Sequence, residues 1–208
     1  STSGYPDVLS EAGSDTWSGL VDLAKFEGLE GLLYCRCLEA GIEIPSHHLP
    51  QLQWSYRRVA ERNCVALTKL QGLLEETSSE GLDVLVLPGA SLLPLYPDEG
   101  CRPMDDIDLL VRSSQLEAVC SFLRAHGFES AQRHDGLFTG RDLTLDLHVD
   151  LVNGDRIQAR AHAVRMDWES ARLQSTPGMT ALVLGTEDAI LYTALHSLRH
   201  SFRRLTWF

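Results

Sequence analysis

Two aspartates, Asp106 and Asp108, flank Ile107 at the start of an apolar run that continues through residue 111. In a β-strand, side chains at positions i and i+2 point to the same face, with Cα atoms roughly 6.5–7 Å apart. We therefore expect the two carboxylates to converge while Ile107 turns into the core. Adjacent carboxylates repel each other, and Mg²⁺ is commonly held by such a pair together with substrate phosphates. The pair predicts a Mg²⁺ or Mn²⁺ site, and Asp108→Asn should leave the fold intact or raise the melting temperature.

A glycine turn precedes this pair. Apolar residues 84–87 end at Pro88-Gly89-Ala90-Ser91, and a short apolar helix is expected to follow. Backbone N–H groups and the helix dipole at such a turn can hold a phosphate, and the Ser91 hydroxyl adds a donor. The turn is not the G-x-S-x-G elbow of serine hydrolases, and it lacks the lysine of a P-loop. We therefore expect Gly89 and Ser91 to position a phosphate.

A second row of polar residues follows in residues 143–151, where apolar and polar residues alternate strictly. Asp146, His148 and Asp150 share one face of this predicted strand, and leucine and valine side chains occupy the other. Such a polar face is either part of a site or a solvated edge of the sheet. Within it, His148 either orients a metal ligand or is a plain surface histidine.

These motifs resemble the nucleotidyltransferase superfamily, which has the fold of DNA polymerase β. That superfamily carries a strand, a Gly-Ser or Gly-Gly turn with a helix, an Asp-x-Asp strand and a third carboxylate on a later strand. The segment RPMDDIDLLV, residues 102–111, is similar to a bacterial nucleotidyltransferase-like family with an RPxxDIDLLV core. The resemblance covers residues 82–150 best. One departure is Ala90-Ser91, because the superfamily often has Ser or Gly directly after the first glycine.

The resemblance implies a role for each polar residue. Asp106, Asp108 and Asp146 would be the metal ligands, and Asp146 would also help to deprotonate an attacking hydroxyl. Asp146 is preferred over Asp150 because it lies deep in the alternating strand, whereas Asp150 lies near a predicted turn. Arg102 would contact a phosphate or support the structure, with a surface salt bridge as the alternative.

The implied reaction is metal-dependent transfer of a nucleoside monophosphate from an NTP, such as ATP, to a hydroxyl or phosphate. The acceptor, a small molecule or a protein, is left open by the sequence. Two alternatives also stay open. One is a catalytically silent nucleotidyltransferase-like module that binds a nucleotide or a partner, and the other is an antitoxin-type partner in a two-gene system.

The periodicity predicts an α+β protein, with a helical N-terminal segment at residues 1–80 and a core with a mixed sheet and flanking helices at residues 81–208. Helices are expected near residues 15–27, 29–40, 52–77, 157–163 and 189–208, and after a cap at Ser113-Ser114. Strands are expected near residues 84–87, 106–111, 128–131, 137–140, 143–151 and 181–184. Because the last helical pattern runs to Phe208, we expect the natural chain to continue. His196 and His200 on that helix have the i,i+4 spacing of metal ligands, but without the glutamate of HExxH the signal is weak.

Composition narrows the function classes. The 208 residues carry a net charge of −11, which argues against general nucleic-acid binding because phosphate contacts dominate such affinity. The five cysteines are odd in number and form no CxxC pair, so neither a disulfide framework nor a zinc ribbon is predicted. No apolar run approaches the roughly 18 residues of a membrane helix, and the N-terminus does not resemble a secretory signal. We expect a cytoplasmic protein.

Overall fold

The computed structural model describes residue 9 and residues 12–131, 136–150, 168–176 and 178–199. The chain divides into two compact units. The first, the helical unit, comprises Ser1–Asn63, Leu93–Pro103 and Arg204–Thr206; the second, the sheet unit, comprises Cys64–Leu92, Met104–Arg203 and Trp207–Phe208. The division expected at residues 80 and 81 stays a prediction. Among the described helices, none is long and apolar enough to cross a membrane.

The helical unit is built on helices α1, Ser14–Glu27, and α2, Glu30–Ala40, and on the first part of α3, Leu49–Ser79. Gly28 and Gly41 end α1 and α2 in the left-handed conformation, which glycine adopts without steric cost. One buried apolar cluster of this unit consists of Trp17, Val21, Cys37, Ile42, Ile44 and Leu52.

A loop in the helical unit, Leu93–Pro103, is fixed by polar contacts. The Asn63 side chain, which is 1% exposed, donates hydrogen bonds of 2.7 Å to the carbonyl oxygens of both Glu99 and Arg102. Gly31 and Gly100 lie so close together that a Cβ atom at Gly31 would collide with the Gly100 carbonyl. The loop is therefore held at a defined place by groups that are distant in sequence.

The sheet unit contains one mixed sheet among its described residues. Its strands are β1 Val84–Val86, β2 Ile107–Val111, β3 Glu129–Ser130, β4 Leu137–Gly140, β5 Leu143–His148, β6 Arg172–Thr176 and β7 Met179–Val183. They lie in the order β3-β4-β5-β2-β1-β7-β6, in which the β1–β7 and β2–β5 pairs are parallel and the other neighbours are antiparallel. Helices α4, Leu116–Ala125, and α5, Thr186–Arg199, complete the unit. The predicted α+β class is confirmed.

The core of the sheet unit lies around its central strands. All three residues of β1 are buried, as expected for an apolar strand with a neighbour on either side. One buried cluster consists of Leu85, Leu87, Leu110, Leu184 and Tyr192. Helix α5 thus packs on the central strands through Tyr192.

Three local expectations were wrong. Strand β5 ends at His148 rather than at residue 151, so Val149 is 42% exposed instead of lying in the core. The predicted cap at Ser113-Ser114 is a 3₁₀ turn, and α4 begins only at Leu116. Strand β6 was not predicted, because it is a mostly exposed edge strand without an alternating apolar pattern. The helix predicted at residues 157–163 lies outside the described residues.

Candidate active site

The polar faces of β2 and β5 lie side by side. These strands pair in parallel with Asp108 opposite Asp146 and Leu110 opposite His148. Residues that are opposite each other on neighbouring strands point to the same face of the sheet, and a strand repeats its face every second residue. The pairing therefore places Asp108, Asp146 and His148 on one face.

These three residues form a compact group, which we call the inner cluster. His148 Nε2 lies 2.9 Å from Asp108 Oδ1 and 3.5 Å from Asp146 Oδ2. One ligand atom from each residue lies within 4.8 Å of the others. The side chains of His148, Asp108 and Asp146 are 3%, 12% and 14% exposed. Two carboxylates and an imidazole are a donor set that suits a divalent cation.

Asp106 lies directly before β2 and is more exposed than the inner cluster. The pKa of its carboxyl group is raised to about 6, first by the loss of hydration and then by the negative charges of Asp108, Asp146 and Asp105. The carboxyl is therefore close enough to both inner carboxylates to be repelled by them. The structure brings together the three aspartates that the sequence selected.

Asp108 has the opposite electrostatic balance. Burial by itself would raise the pKa of its carboxyl, but the hydrogen bond from His148 and the positive charges of His148 and His196 outweigh burial, and a hydrogen bond from Tyr192 adds to them, so the pKa is lowered. Asp108 is therefore held in its ionised form. The repulsion expected from the sequence contributes to the raised pKa of Asp106. At Asp108 the contacts with His148, His196 and Tyr192 give a lowered pKa instead.

Tyr192 on α5 is a contact that sequence reasoning missed. Its side chain is 2% exposed, its ring meets His148 edge-on at 6.4 Å between centroids, and its hydroxyl lies 3.4 Å from His196 Nδ1. In the sequence Tyr192 has the spacing of an ordinary core residue, so no signal marked it. His196, considered in the sequence as a metal ligand with His200, lies beside Tyr192 instead, and His200 is outside the described residues.

Gly136 is a second contact without a sequence signal. Its carbonyl oxygen accepts a hydrogen bond of 2.9 Å from the backbone N–H of Leu147. A Cβ atom at Gly136 would lie 2.7 Å from the Leu147 carbonyl oxygen and 3.2 Å from Asp146 Oδ1. Glycine thus leaves room for the Asp146 carboxylate.

The glycine turn lies at the Asp106 end of β2. The backbone N–H of Leu87 donates to the carbonyl oxygen of Asp108 at 3.0 Å, so the chain beyond Leu87 continues along β2 towards Asp106. Gly89 has φ +141°, a conformation that other residues rarely adopt, and a Cβ atom there would meet nothing within 4 Å. The turn therefore needs glycine for its backbone conformation, and the space beside it is open.

The expected helix dipole after this turn is weaker than the sequence suggested. Residues Ala90–Leu95 form a six-residue 3₁₀ helix that contains Pro94, and so short a helix has little macrodipole. Ser91 is buried, and its carbonyl oxygen accepts a hydrogen bond of 2.9 Å from Gln174 Nε2. Support for a phosphate at this turn therefore rests on backbone N–H groups and the Ser91 hydroxyl.

Arg102 belongs to the helical unit. Its Nη1 atom donates to the Tyr96 hydroxyl at 2.8 Å, and its guanidinium lies 5.4 Å from the centroid of the same ring.

The other carboxylates near the site lie outside its strands. Asp150 follows the end of β5, the strand that holds Asp146, and it is partly buried. Asp105 is exposed.

Comparisons with known proteins find a matching family. A family model described as uncharacterised nucleotidyltransferase matches residues 13–208. A crystal structure of an antigenic nucleotidyltransferase-like protein from Paracoccidioides brasiliensis is similar to the chain with 16% sequence identity and a TM-score of 0.44. That match covers 64% of this chain and 66% of the length of the other protein. No curated protein sequence matches the chain significantly.

Proposed function

The chain belongs to the uncharacterised nucleotidyltransferase family, and on that premise we propose that it is a metal-dependent enzyme that moves a nucleoside monophosphate from an NTP to an acceptor. The resemblance inferred from the glycine turn and the RPxxDIDLLV core is confirmed by this membership. The family supports NTP as the donor substrate. Transfer activity, the metal and the acceptor are the proposal.

The observation that carries the proposal is the pairing of Asp108 with Asp146 on adjacent parallel strands, with Asp106 beside them. Carboxylates that lie so close together repel each other unless a cation or a hydrogen-bond donor balances their charge. The pKa of Asp106 is raised to about 6, first by the loss of hydration and then by the negative charges of Asp108, Asp146 and Asp105. The cluster is therefore suited to a ligand that brings positive charge.

We assign Asp106, Asp108 and Asp146 as the ligands of one or two divalent cations, Mg²⁺ or Mn²⁺. Such ions, when bound, neutralise charge on the transferred phosphoryl group and on the attacking and leaving oxygens. Asp106, as the more exposed ligand, faces the incoming NTP. Asp108 is the shared inner ligand, and its ionised form is maintained by His148.

In the proposed reaction the acceptor oxygen forms a bond to the α-phosphorus, and the bond from this phosphorus to the bridging oxygen of the β-phosphate breaks. Pyrophosphate leaves. An Asp146 carboxylate oxygen takes the proton of the attacking hydroxyl. Removal of a proton by a positioned carboxylate contributes roughly 10²–10⁴-fold to such reactions.

The triphosphate is proposed to lie along the glycine turn. The Gly89 conformation leaves open space where backbone N–H groups can approach phosphate oxygens, and Ser91 would supply a hydroxyl. A phosphate contact by Arg102 stays a prediction from the family resemblance, and within the helical unit its guanidinium contacts Tyr96. A planar guanidinium can bind two phosphate oxygens at once.

A pyrophosphate-release assay tests this function. The purified protein is incubated with each of the four NTPs, with Mg²⁺ or Mn²⁺, and with fractions of cell extract as the source of acceptor. At least one combination should release pyrophosphate, and EDTA or Asp108→Asn should abolish the release. Asp105→Asn, which changes an exposed neighbouring carboxylate, is the matched control. Release that persists in EDTA and in Asp108→Asn would refute the assignment.

A further inference from the structure

The inner cluster differs chemically from the exposed Asp106 beside it. Asp106 offers only oxygen and lies at the surface, whereas the inner cluster adds the nitrogen of His148, a side chain that is 3% exposed. Asp108 and Asp146 contact this imidazole and also lie near enough to Asp106 to repel it. A cation beside them could therefore bind on the His148 side or on the Asp106 side. The position of His148 therefore bears on which ion is bound.

His148 has the geometry of a ligand. The same nitrogen, Nε2, approaches both carboxylates, at 2.9 Å from Asp108 and 3.5 Å from Asp146. Atoms that bind one ion at about 2.0–2.2 Å stand about 3–4 Å from each other. A residue that only oriented one carboxylate would contact that carboxylate alone. The shared nitrogen fits a place in the coordination shell, where a bound cation would replace the proton that Nε2 donates to Asp108 and release it to solvent.

The imidazole is also fixed in orientation. His148 lies at the end of β5, opposite Leu110 of β2, and the ring of Tyr192 meets it edge-on with an interplanar angle of 88°. Burial among these groups restricts the rotation of the ring. A fixed nitrogen can bind an ion without the loss of side-chain freedom that an exposed histidine would suffer.

We propose, on the basis of the function proposed above, that His148 Nε2 is a ligand of the cation held by Asp108 and Asp146, and that this inner position selects a first-row transition ion over Mg²⁺. Mg²⁺ takes oxygen ligands and retains its waters. Imidazole nitrogen favours transition ions such as Fe²⁺, Ni²⁺ and Zn²⁺. Mg²⁺ is then left to the Asp106 side, where the ligands are oxygens and the phosphates of the substrate.

The test measures metal binding without nucleotide. Metal-free protein is titrated with Mn²⁺, and free Mn²⁺ is followed by its electron paramagnetic resonance signal, alone and with increasing Mg²⁺. In wild type, Mg²⁺ should displace Mn²⁺ only at large excess. His148→Gln, which keeps a polar side chain but supplies no imidazole, should lower the affinity for Mn²⁺ by about 10–100-fold, the usual effect of a change close to a metal, with far less effect on Mg²⁺. Asp150→Asn is the control and should match wild type.

Two results would overturn the proposal. If His148→Gln leaves the ratio of Mn²⁺ to Mg²⁺ affinity unchanged, His148 is not a ligand and only orients Asp108. If the variant binds both ions more tightly than wild type, His148 acts as a positive group that competes with the cation.

A direct measurement covers the case in which His148→Gln does not fold. Electron spin echo envelope modulation of Mn²⁺ bound to wild type should show coupling to a ¹⁴N nucleus, and its absence refutes nitrogen ligation. The proposed function and the proposed His148 ligand can fail separately, and the two measurements distinguish these outcomes. Pyrophosphate release without ¹⁴N coupling would refute this ligand set and leave the proposed function standing, whereas ¹⁴N coupling without turnover on any NTP would do the reverse.

Discussion

Each of the two units contains a cluster of titratable groups with restricted exposure. The two clusters differ in the charge that their groups carry at neutral pH. In the helical unit, Cys35 Sγ and Cys101 Sγ lie 2.8 Å apart. Burial, and then neighbouring groups that include Asp98, raise the pKa of both thiols and bring the pKa of Tyr56 to about 12. These three groups are uncharged at neutral pH; the two thiols bond to each other, and Tyr56 bonds to Asp98.

In the sheet unit, the same burial acts on carboxylates. Asp108 stays ionised because His148 donates to it. The pKa of Asp106 rises to about 6, first through loss of hydration and then under the negative charge of its neighbours. Cys35, Cys101 and Tyr56 are therefore neutral within the fold, and we expect them to stabilise the structure. The inner cluster and Asp106 concentrate charge in a way that favours binding a cation. The contrast is between groups that are neutral in the fold and groups whose charge favours a cation.

The largest effect is expected for Asp146→Asn. Loss of one carboxylate from the paired β2–β5 face should lower turnover by about a thousandfold or more, while NTP binding persists through Asp106 and Asp108. Asp150→Asn, outside the strand, should stay within about threefold of wild type. Turnover under saturating NTP and calorimetric NTP binding are the measurements. The reverse ranking would move the site along the chain to Asp150, and two active variants would favour a catalytically silent module.

A smaller effect, on stability alone, is expected for Asn63→Ala in the helical unit. The change leaves the carbonyl groups of Glu99 and Arg102 without their buried amide donor, at a cost of about 1–3 kcal/mol for each. The melting temperature should fall by about 5–10 °C, and Mn²⁺ binding measured well below that temperature should be unchanged. Ser79→Ala, which removes an exposed hydroxyl bonded to Glu76, is the control and should melt like wild type. A wild-type melting temperature for Asn63→Ala would show that these two hydrogen bonds do not stabilise the helical unit.

The smallest effect concerns the charge at Asp106. A carboxyl whose pKa is raised from 3.8 to about 6 in the folded protein destabilises the fold above pH 6, and this penalty disappears as the pH falls below 4, where both states are protonated. In EDTA, Asp106→Asn should therefore raise stability at pH 7.5 by up to about 1 kcal/mol after allowance for screening at an exposed position. That is about 2–4 °C in melting temperature.

The same comparison at pH 4 should show no gain. Glu129→Gln is the control at both pH values, because Glu129 is exposed and is not among the charges that raise the pKa of Asp106. Asp108→Asn should behave differently, because the lowered pKa of Asp108 means that its charge is stabilised by the fold. It should lower stability at neutral pH, contrary to the gain expected from the sequence. Equal gains for Asp106→Asn at both pH values would show that the effect is not electrostatic.

The local pattern of the sequence determined much of this protein. The two-residue period predicted that Asp106 and Asp108 share a face, that Asp146 and His148 share another, and that both lie on strands in an α+β protein. The glycine at position 89 and the RPxxDIDLLV core pointed to nucleotidyltransferases. These properties follow from local stereochemistry, which neighbouring residues encode.

Only the tertiary structure decided which strands are neighbours and what covers the site. The period of a strand fixes the face of each side chain but not its partner strand, so the pairing of Asp108 with Asp146 came from the sheet. Burial of His148, and the contact of Tyr192 with it from more than 40 residues further along the chain, depend on the packing of α5. Strand β6 forms only because β7 offers an edge for pairing. Such contacts are set by the whole chain at once, because the free energy of each depends on all its neighbours.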